Sequence, residues 1–159
     1  MDPVVEALRE CVGRRCTGGS VEVLTLRCSE VGKARSLRRA PGVYVFMGPS
    51  SGVVYYVGQA SDLGRRLGSE HCSAQIGRSE GVVRFLMHIL DKICERSSEW
   101  APGSAKEREA YVKSKIREFL ETLIIYVAYC PGGGPLSDRK TRLSVEACLK
   151  ARLDPILNP

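Results

Sequence analysis

Two tyrosines, an arginine and a glutamate are residue types that phosphoryl chemistry can use. Gly42-Val43-Tyr44 is followed, after eleven residues, by Tyr56-Val57-Gly58; Arg66 lies ten positions beyond Tyr56, and Glu146 stands near the C-terminus. Hydrolysis of a phosphodiester needs a nucleophilic water, relief of charge on the transition state and help for the leaving oxygen. A phenol has a pKa of about 10 and is a poor base alone, but a neighbouring cation or a second phenol stabilises its anion. The planar fork of Arg66 can bridge two phosphate oxygens and does not lose its proton. Glu146 offers hard carboxylate oxygens of the kind that suit Mg²⁺ or Mn²⁺, ions that keep several waters and need few protein ligands. Each residue also has an ordinary alternative. Tyr44 and Tyr56 suit any strand, Arg66 any solvated helix, Glu146 a surface ion pair, and Gly42 and Gly58 a turn.

The elements around these residues follow from hydrophobic period and punctuation. Val43 to Met47 and Val53 to Val57 are β-branched and aromatic runs separated by Gly48-Pro49-Ser50-Ser51-Gly52, a hairpin signature. Ser61 as N-cap, with Asp62 favouring the dipole, opens a helix near Leu63 that carries Arg65 and Arg66. Val82, Phe85, Leu86, Ile89, Leu90 and Ile93 form one helical stripe, and Val112, Ile116, Phe119, Leu120 and Leu123 another. Ser97 to Ser104 between them reads as a loop, and His88 as a boundary residue. Ile124 to Cys130 is a continuous apolar run that suits a buried strand. A last helix is expected over about Leu143 to Leu153, closed by Pro155. Before the hairpin, Val4, Val5, Leu8 and Val12 give a helix ended by Gly13, Gly18 and Gly19; Val21 to Leu26 alternates as a strand, and Ser29 to Arg39 is a polar, basic short helix or arm.

At this point the paired triplets resemble the GIY and YIG elements of the GIY-YIG nucleases, a family that includes excision-repair endonucleases of the UvrC type, phage homing enzymes and some restriction enzymes. The run Tyr56-Val57-Gly58-Gln59-Ala60-Ser61-Asp62-Leu63-Gly64-Arg65-Arg66 is similar to the family's continuation to its Arg, and Glu146, Pro155 and Asn158 stand at the spacing of the closing segment in UvrC-type members. The resemblance covers roughly residues 41 to 71 and 123 to 158. It implies an α+β fold: a three-stranded antiparallel sheet, built from the hairpin and the Ile124 strand, flanked by helices. It also implies a metal-dependent endonuclease hydrolysing DNA phosphodiesters, with a tyrosine-assisted water attack, Arg66 stabilising the transition state, Glu146 anchoring one Mg²⁺ or Mn²⁺, and Gly42, Gly58 and Asn158 in structural or substrate-positioning roles. One position departs. Where the family often has His or Tyr four residues after its Arg, this chain has Glu70, and His71 follows. On a regular helix that step turns a side chain by about 100°, so His71 is taken as catalytic and Glu70 as the alternative, a second metal ligand. Which tyrosine takes the proton stays open.

The 159 residues suffice for one core, so a single domain is expected over 1–159, with a 1–40 extension and a helical insertion over 72–122. Lys and Arg number 24 against 18 Asp and Glu, a net charge of +6. Between Lys33 and Arg66 six cations face one acid, which marks Lys33, Arg35, Arg38, Arg39 and Arg65 as a nucleic-acid-binding face, the expected partner being DNA. With no long apolar run and no signal-like start, no membrane partner is expected, and the location reads as cytoplasmic. Seven cysteines without a C-x-x-C pair read mainly as buried apolar side chains, with one or two disulfides if the source is hot, as the single Asn suggests. A catalytically weak or inactive nucleic-acid-binding module on the same fold is the alternative function, and a protein-interaction domain using the extra helices a third.

Overall fold

The computed structural model describes residues 2–13, 15, 16 and 20–159. Gly18 and Gly19, two of the three glycines expected to end the first helix, lie outside them. In chain order the elements are helix α1 (Pro3–Gly13), strand β1 (Glu22–Leu26), helix α2 (Cys28–Val31), a 3₁₀ turn (Arg35–Leu37), strands β2 (Gly42–Met47) and β3 (Val54–Ala60), a π-helix (Arg65–His71), helices α3 (Glu80–Glu95), α4 (Ser97–Trp100) and α5 (Ala105–Thr122), strand β4 (Ile124–Tyr129), a second 3₁₀ turn (Gly134–Ser137) and helix α6 (Arg139–Leu153).

The class is α+β, with one antiparallel sheet of order β1-β4-β2-β3. It has four strands, where the resemblance implies three, because β1 pairs with β4 from Glu22↔Tyr129 to Leu26↔Ile125. The alternating pattern that identified β1 carries no information about which edge it joins. Helices cover both faces. Tyr44, Phe46, Ile125 and Val127 pack with Phe85, Ile89, Ile116 and Leu120 on one side. Val43, Val45, Val57 and Ala128 pack with α1 and α6 through Leu8, Val12, Val145 and Leu149 on the other. Burial on both faces is why β2 and β4 read as unbroken apolar runs rather than as alternations.

Helix starts follow their caps. The Asp138 carboxylate accepts from Thr141 N at 2.8 Å, so α6 begins four residues before its apolar pattern does. Ser104 and Glu107 form a capping box at the start of α5. At the helix carrying Arg66, Asp62 rather than Ser61 is the cap: its Oδ1 accepts from Arg65 N at 2.9 Å. The segment expected to be a loop after α3 contains the one-turn α4, pinned by Trp100 Nε1 donating to Ile93 O at 3.0 Å. β3 is a sheet edge, and residues 156–158 cover it. Ile156 N and Leu157 N donate to Val54 O and Tyr55 O at 3.0 and 2.9 Å, which blunts an edge that would otherwise template pairing with another chain.

The cysteines differ from expectation. Six of seven pair, as Cys11–Cys148, Cys16–Cys130 and Cys28–Cys72, and Cys94 is exposed and free. Each bridge joins the 1–40 extension to the rest of the chain, a contact that spacing along the sequence does not reveal. No helix among the described residues is long and apolar enough to cross a membrane. Bridges spanning 137 and 114 residues remove much chain entropy from the unfolded state, so replacing Cys11 and Cys148 together by Ala should cost about 2–5 kcal/mol. Urea unfolding of both proteins checks this, and adding a dithiol should destabilise the wild-type chain while leaving less to lose in the variant.

Candidate active site

The hairpin puts the two tyrosines on one face. Tyr44 on β2 is opposite Gly58 on β3, and Tyr56 is opposite Phe46; side chains two apart on a strand share a face, so Tyr56 and the Gly58 position lie side by side beneath Tyr44. A Cβ at residue 58 would come within 2.5 Å of Tyr44 Cζ and Oη. Gly58 is therefore required for the Tyr44 ring to lie across β3. Gly42 has a different reason, since a Cβ there would meet Ala128 O at 2.5 Å. The two tyrosine rings are 6.3 Å apart and tilted by 31°. Instead of bonding Tyr56, the Tyr44 hydroxyl lies 2.7 Å from His71 Nε2.

The π-helix explains how His71 reaches that position. Its bonds run from residue i to i+5, as in Cys72 N to Leu67 O at 2.8 Å and Gln75 N to Glu70 O at 2.9 Å, so each turn holds one residue more than an α-turn. His71, five residues after Arg66, is brought over the site. Glu70 is buried as well, but with another function: its carboxylate pairs with Arg65 and, at 2.6 Å, with Arg66 Nη1. Glu70 is held by two guanidiniums and is not among the residues that line the cleft with Glu146. His71 is 1% exposed, and its other nitrogen, Nδ1, is 3.2 Å from Ser79 Oγ.

Burial dominates the electrostatics. It pushes the His71 pKa down to about 3, helped by the Arg66 charge, so the ring is neutral at physiological pH. Burial, followed by the charge of Tyr56, raises the Tyr44 phenol well above its usual value, and Arg66 offsets only part of this. Tyr56 is raised by burial and then by Glu146 and Glu80. Of the groups expected to lower a tyrosine pKa, Arg66 does so, whereas the second phenol raises that of Tyr44 and burial outweighs both. Desolvation of an anion in a closed site exceeds the attraction of one guanidinium that already faces Glu70.

Glu146 projects from the middle of α6 and has a side chain 14% exposed, with Oε1 3.1 Å from Lys150 Nζ one turn on. One turn earlier, Arg142 is buried. Its Nε donates to Gln59 Oε1 at 2.8 Å, and its Nη1 to the carbonyls of Leu136 and Ser137 at 2.7 and 2.8 Å. Asn158 brackets the backbone of Val57, accepting from its N–H at 2.6 Å and donating to its carbonyl at 2.9 Å. The single asparagine therefore fixes the strand that carries Tyr56 and Gly58.

Tyr44, Tyr56, Gly58, Gln59, Arg66, His71, Ser79, Glu80, Gly81 and Glu146 line one cleft of about 240 Å³. Of the site residues expected from sequence, Tyr44, Tyr56, Gly58, Arg66, His71 and Glu146 come together here, whereas Gly42, Asn158 and the basic set do not line the cleft. Arg38, Arg39 and Arg65 line a separate, larger cleft of about 690 Å³ with Asp62, whereas Lys33 and Arg35 are exposed and stand outside both. Sequence reading missed Gln59, Ser79, Glu80, Gly81 and Arg142. For Ser79 a signal existed: it is a helix-starting residue just ahead of the Val82 stripe. Among the described residues no group of three or more His, Cys, Asp or Glu could hold a metal ion; the carboxylates on the cleft are Glu146 and Glu80. Comparison with protein-family models, curated proteins and solved structures gave no match. The Tyr44–Gly58 packing gives a direct test of the site's geometry. Gly58→Ala should destabilise the fold by about 1–3 kcal/mol through overpacking, whereas Gly68→Ala, where a Cβ meets only Val31 Cγ1 at 3.6 Å, should leave chemical denaturation nearly unchanged.

Proposed function

We propose that this protein is a metal-dependent endonuclease that hydrolyses DNA phosphodiester bonds, as its resemblance to the GIY-YIG nucleases implies. The observation that carries the reading is convergence: Tyr44, Tyr56, Arg66, His71 and Glu146, from a hairpin, a π-helix and a C-terminal helix, all line one small cleft. The chemistry of each fits. Arg66 has a side chain 30% exposed although Nη1 is held by Glu70, so part of its guanidinium can meet a phosphate oxygen. The tyrosines supply oxygens for orienting an attacking water. Their raised pKa values mean that neither phenol is ionised in the resting protein, so they act first as hydrogen-bonding groups. Glu146, partly buried with one oxygen beside Lys150, fits a single Mg²⁺ or Mn²⁺, because such ions are satisfied by one or two carboxylates and several waters. When bound there, the ion supplies charge that offsets the phosphate's. Arg38, Arg39 and Arg65 in the neighbouring cleft offer cations for flanking phosphates.

A second reading, a nucleic-acid-binding module with little or no turnover, is favoured by the two ion pairs that engage the central charges, Arg66 with Glu70 and Glu146 with Lys150. Cleavage of supercoiled plasmid separates the two. With Mg²⁺ or Mn²⁺ the wild-type protein should nick or linearise plasmid, EDTA should abolish this, and Glu146→Gln should lower the rate by about 10²-fold or more, the scale of losing one group that offsets developing charge. Gel-shift binding by a wild-type protein that leaves plasmid intact would select the binding module. Equal cleavage by both proteins would remove Glu146 from the mechanism.

A further inference from the structure

Helix α3 opens in an unusual way. Ser79 stands at its N-cap with extended backbone, yet its side chain makes no capping bond, whereas Ser104 and Asp138 both cap the helices they precede. N-cap serine normally accepts from a backbone N–H one turn into the helix and stabilises it. Here the hydroxyl is buried, 4% exposed, and turned to His71 Nδ1 at 3.2 Å. Two residues on, Gly81 occupies the first turn, where glycine is a poor helix former. A Cβ at that position would come within 2.4 Å of His71 Cε1 and 3.2 Å of Tyr56 Cζ. Two positions at one helix end thus forgo local helix stability, and both do so at the same imidazole.

We infer that Ser79, with Gly81 making room, is a positioning residue that fixes the tautomer of His71 and through it the polarity of the Tyr44 hydroxyl. A neutral imidazole has one N–H and one lone pair, and its nitrogens are bonded to two hydroxyls, Tyr44 at Nε2 and Ser79 at Nδ1. One hydroxyl must accept and the other donate. The lengths assign the roles, since 2.7 Å at Nε2 is that of an O–H donor and 3.2 Å at Nδ1 suits the longer bond of an N–H donor; Ser79 then accepts from Nδ1–H, Nε2 presents its lone pair, and Tyr44 spends its only proton there. The free lone pairs of the Tyr44 oxygen then face the cleft, the polarity needed to accept a hydrogen bond from an attacking water. The same logic of an outer group setting a histidine tautomer operates around metal sites. The helical insertion over 72–122 thereby contributes to the site. This inference rests on the proposed nuclease reading for its consequence in turnover, and on geometry alone for the tautomer.

The test uses the full chain with ¹⁵N-labelled histidine. The chain has 2 histidines, and His88→Gln removes the signal of the exposed one. At neutral pH the ¹⁵N–¹H spectrum should show His71 protonated at Nδ1 and bare at Nε2; a proton on Nε2 overturns the inference without any change to the site. Ser79→Ala should release the tautomer and lower kcat for plasmid nicking about tenfold or more, with KM unchanged, and Ser79→Thr, which keeps the hydroxyl, should restore both. A Ser79→Ala protein with the wild-type spectrum and wild-type kcat overturns it as well. The tautomer seen as expected in a wild-type protein that cannot cleave DNA supports the positioning and rejects the nuclease reading instead.

Discussion

A hydrogen bond of 2.7 Å between the Tyr44 hydroxyl and His71 Nε2 holds the candidate site together, and much of the surrounding structure is arranged to permit it. Both groups are almost completely buried, so each polar atom must find a partner inside the protein or lose its hydration uncompensated. On the Tyr44 side the requirement is met by Gly58, whose missing side chain lets the ring cross β3. On the His71 side it is met by a π-helix, which delivers the imidazole five residues after Arg66, and by Ser79 and Gly81 at the start of α3. Extra residues wound into a helix are costly and tend to persist where function needs the displaced side chain.

The same arrangement determines the charges. Sequestering His71 keeps it neutral, and sequestering Tyr44 disfavours its anion, so the resting site carries Arg66 balanced by Glu70 and Glu146 balanced by Lys150. Stored positive charge is present but paired. A polyanion entering the cleft would compete with Glu70 for Arg66, and a divalent cation would compete with Lys150 for Glu146. In the neighbouring cleft, Arg38 and Arg39 are exposed and keep their hydration, whereas Arg65 is paired with Glu70.

Legibility in the sequence followed the range of the interaction. Tyr44, Tyr56, Arg66 and Glu146 were legible through the resemblance that their motifs and spacing carry, and the structure groups all four. Local pattern likewise identified each of the four strands to within a few residues and the apolar stripes of both long helices, although α5 begins at Ala105, well ahead of its Val112 stripe, since period and punctuation are local properties. Features set by tertiary geometry were not legible. That β1 would extend the sheet, that six cysteines would pair across 44 to 137 residues, and that Arg142 would be buried against Gln59 all depend on which elements meet. The Glu70–His71 ambiguity is the clearest case. A periodicity of 100° per residue forces a choice between the two, while the wider π-turn buries both, one against arginines and one against a tyrosine.

The coupling between Tyr44 and His71 is central to the site, and a double-mutant cycle measures it most directly. Tyr44→Phe, His71→Gln and the double variant would be compared with the wild-type protein for single-turnover plasmid nicking at saturating Mg²⁺. Groups that act as one unit are strongly non-additive, so each single change should slow nicking by about as much as both together. A double variant whose loss equals the product of the two single losses would show that the residues act independently, and the hydrogen bond joining them would have no part in the chemistry.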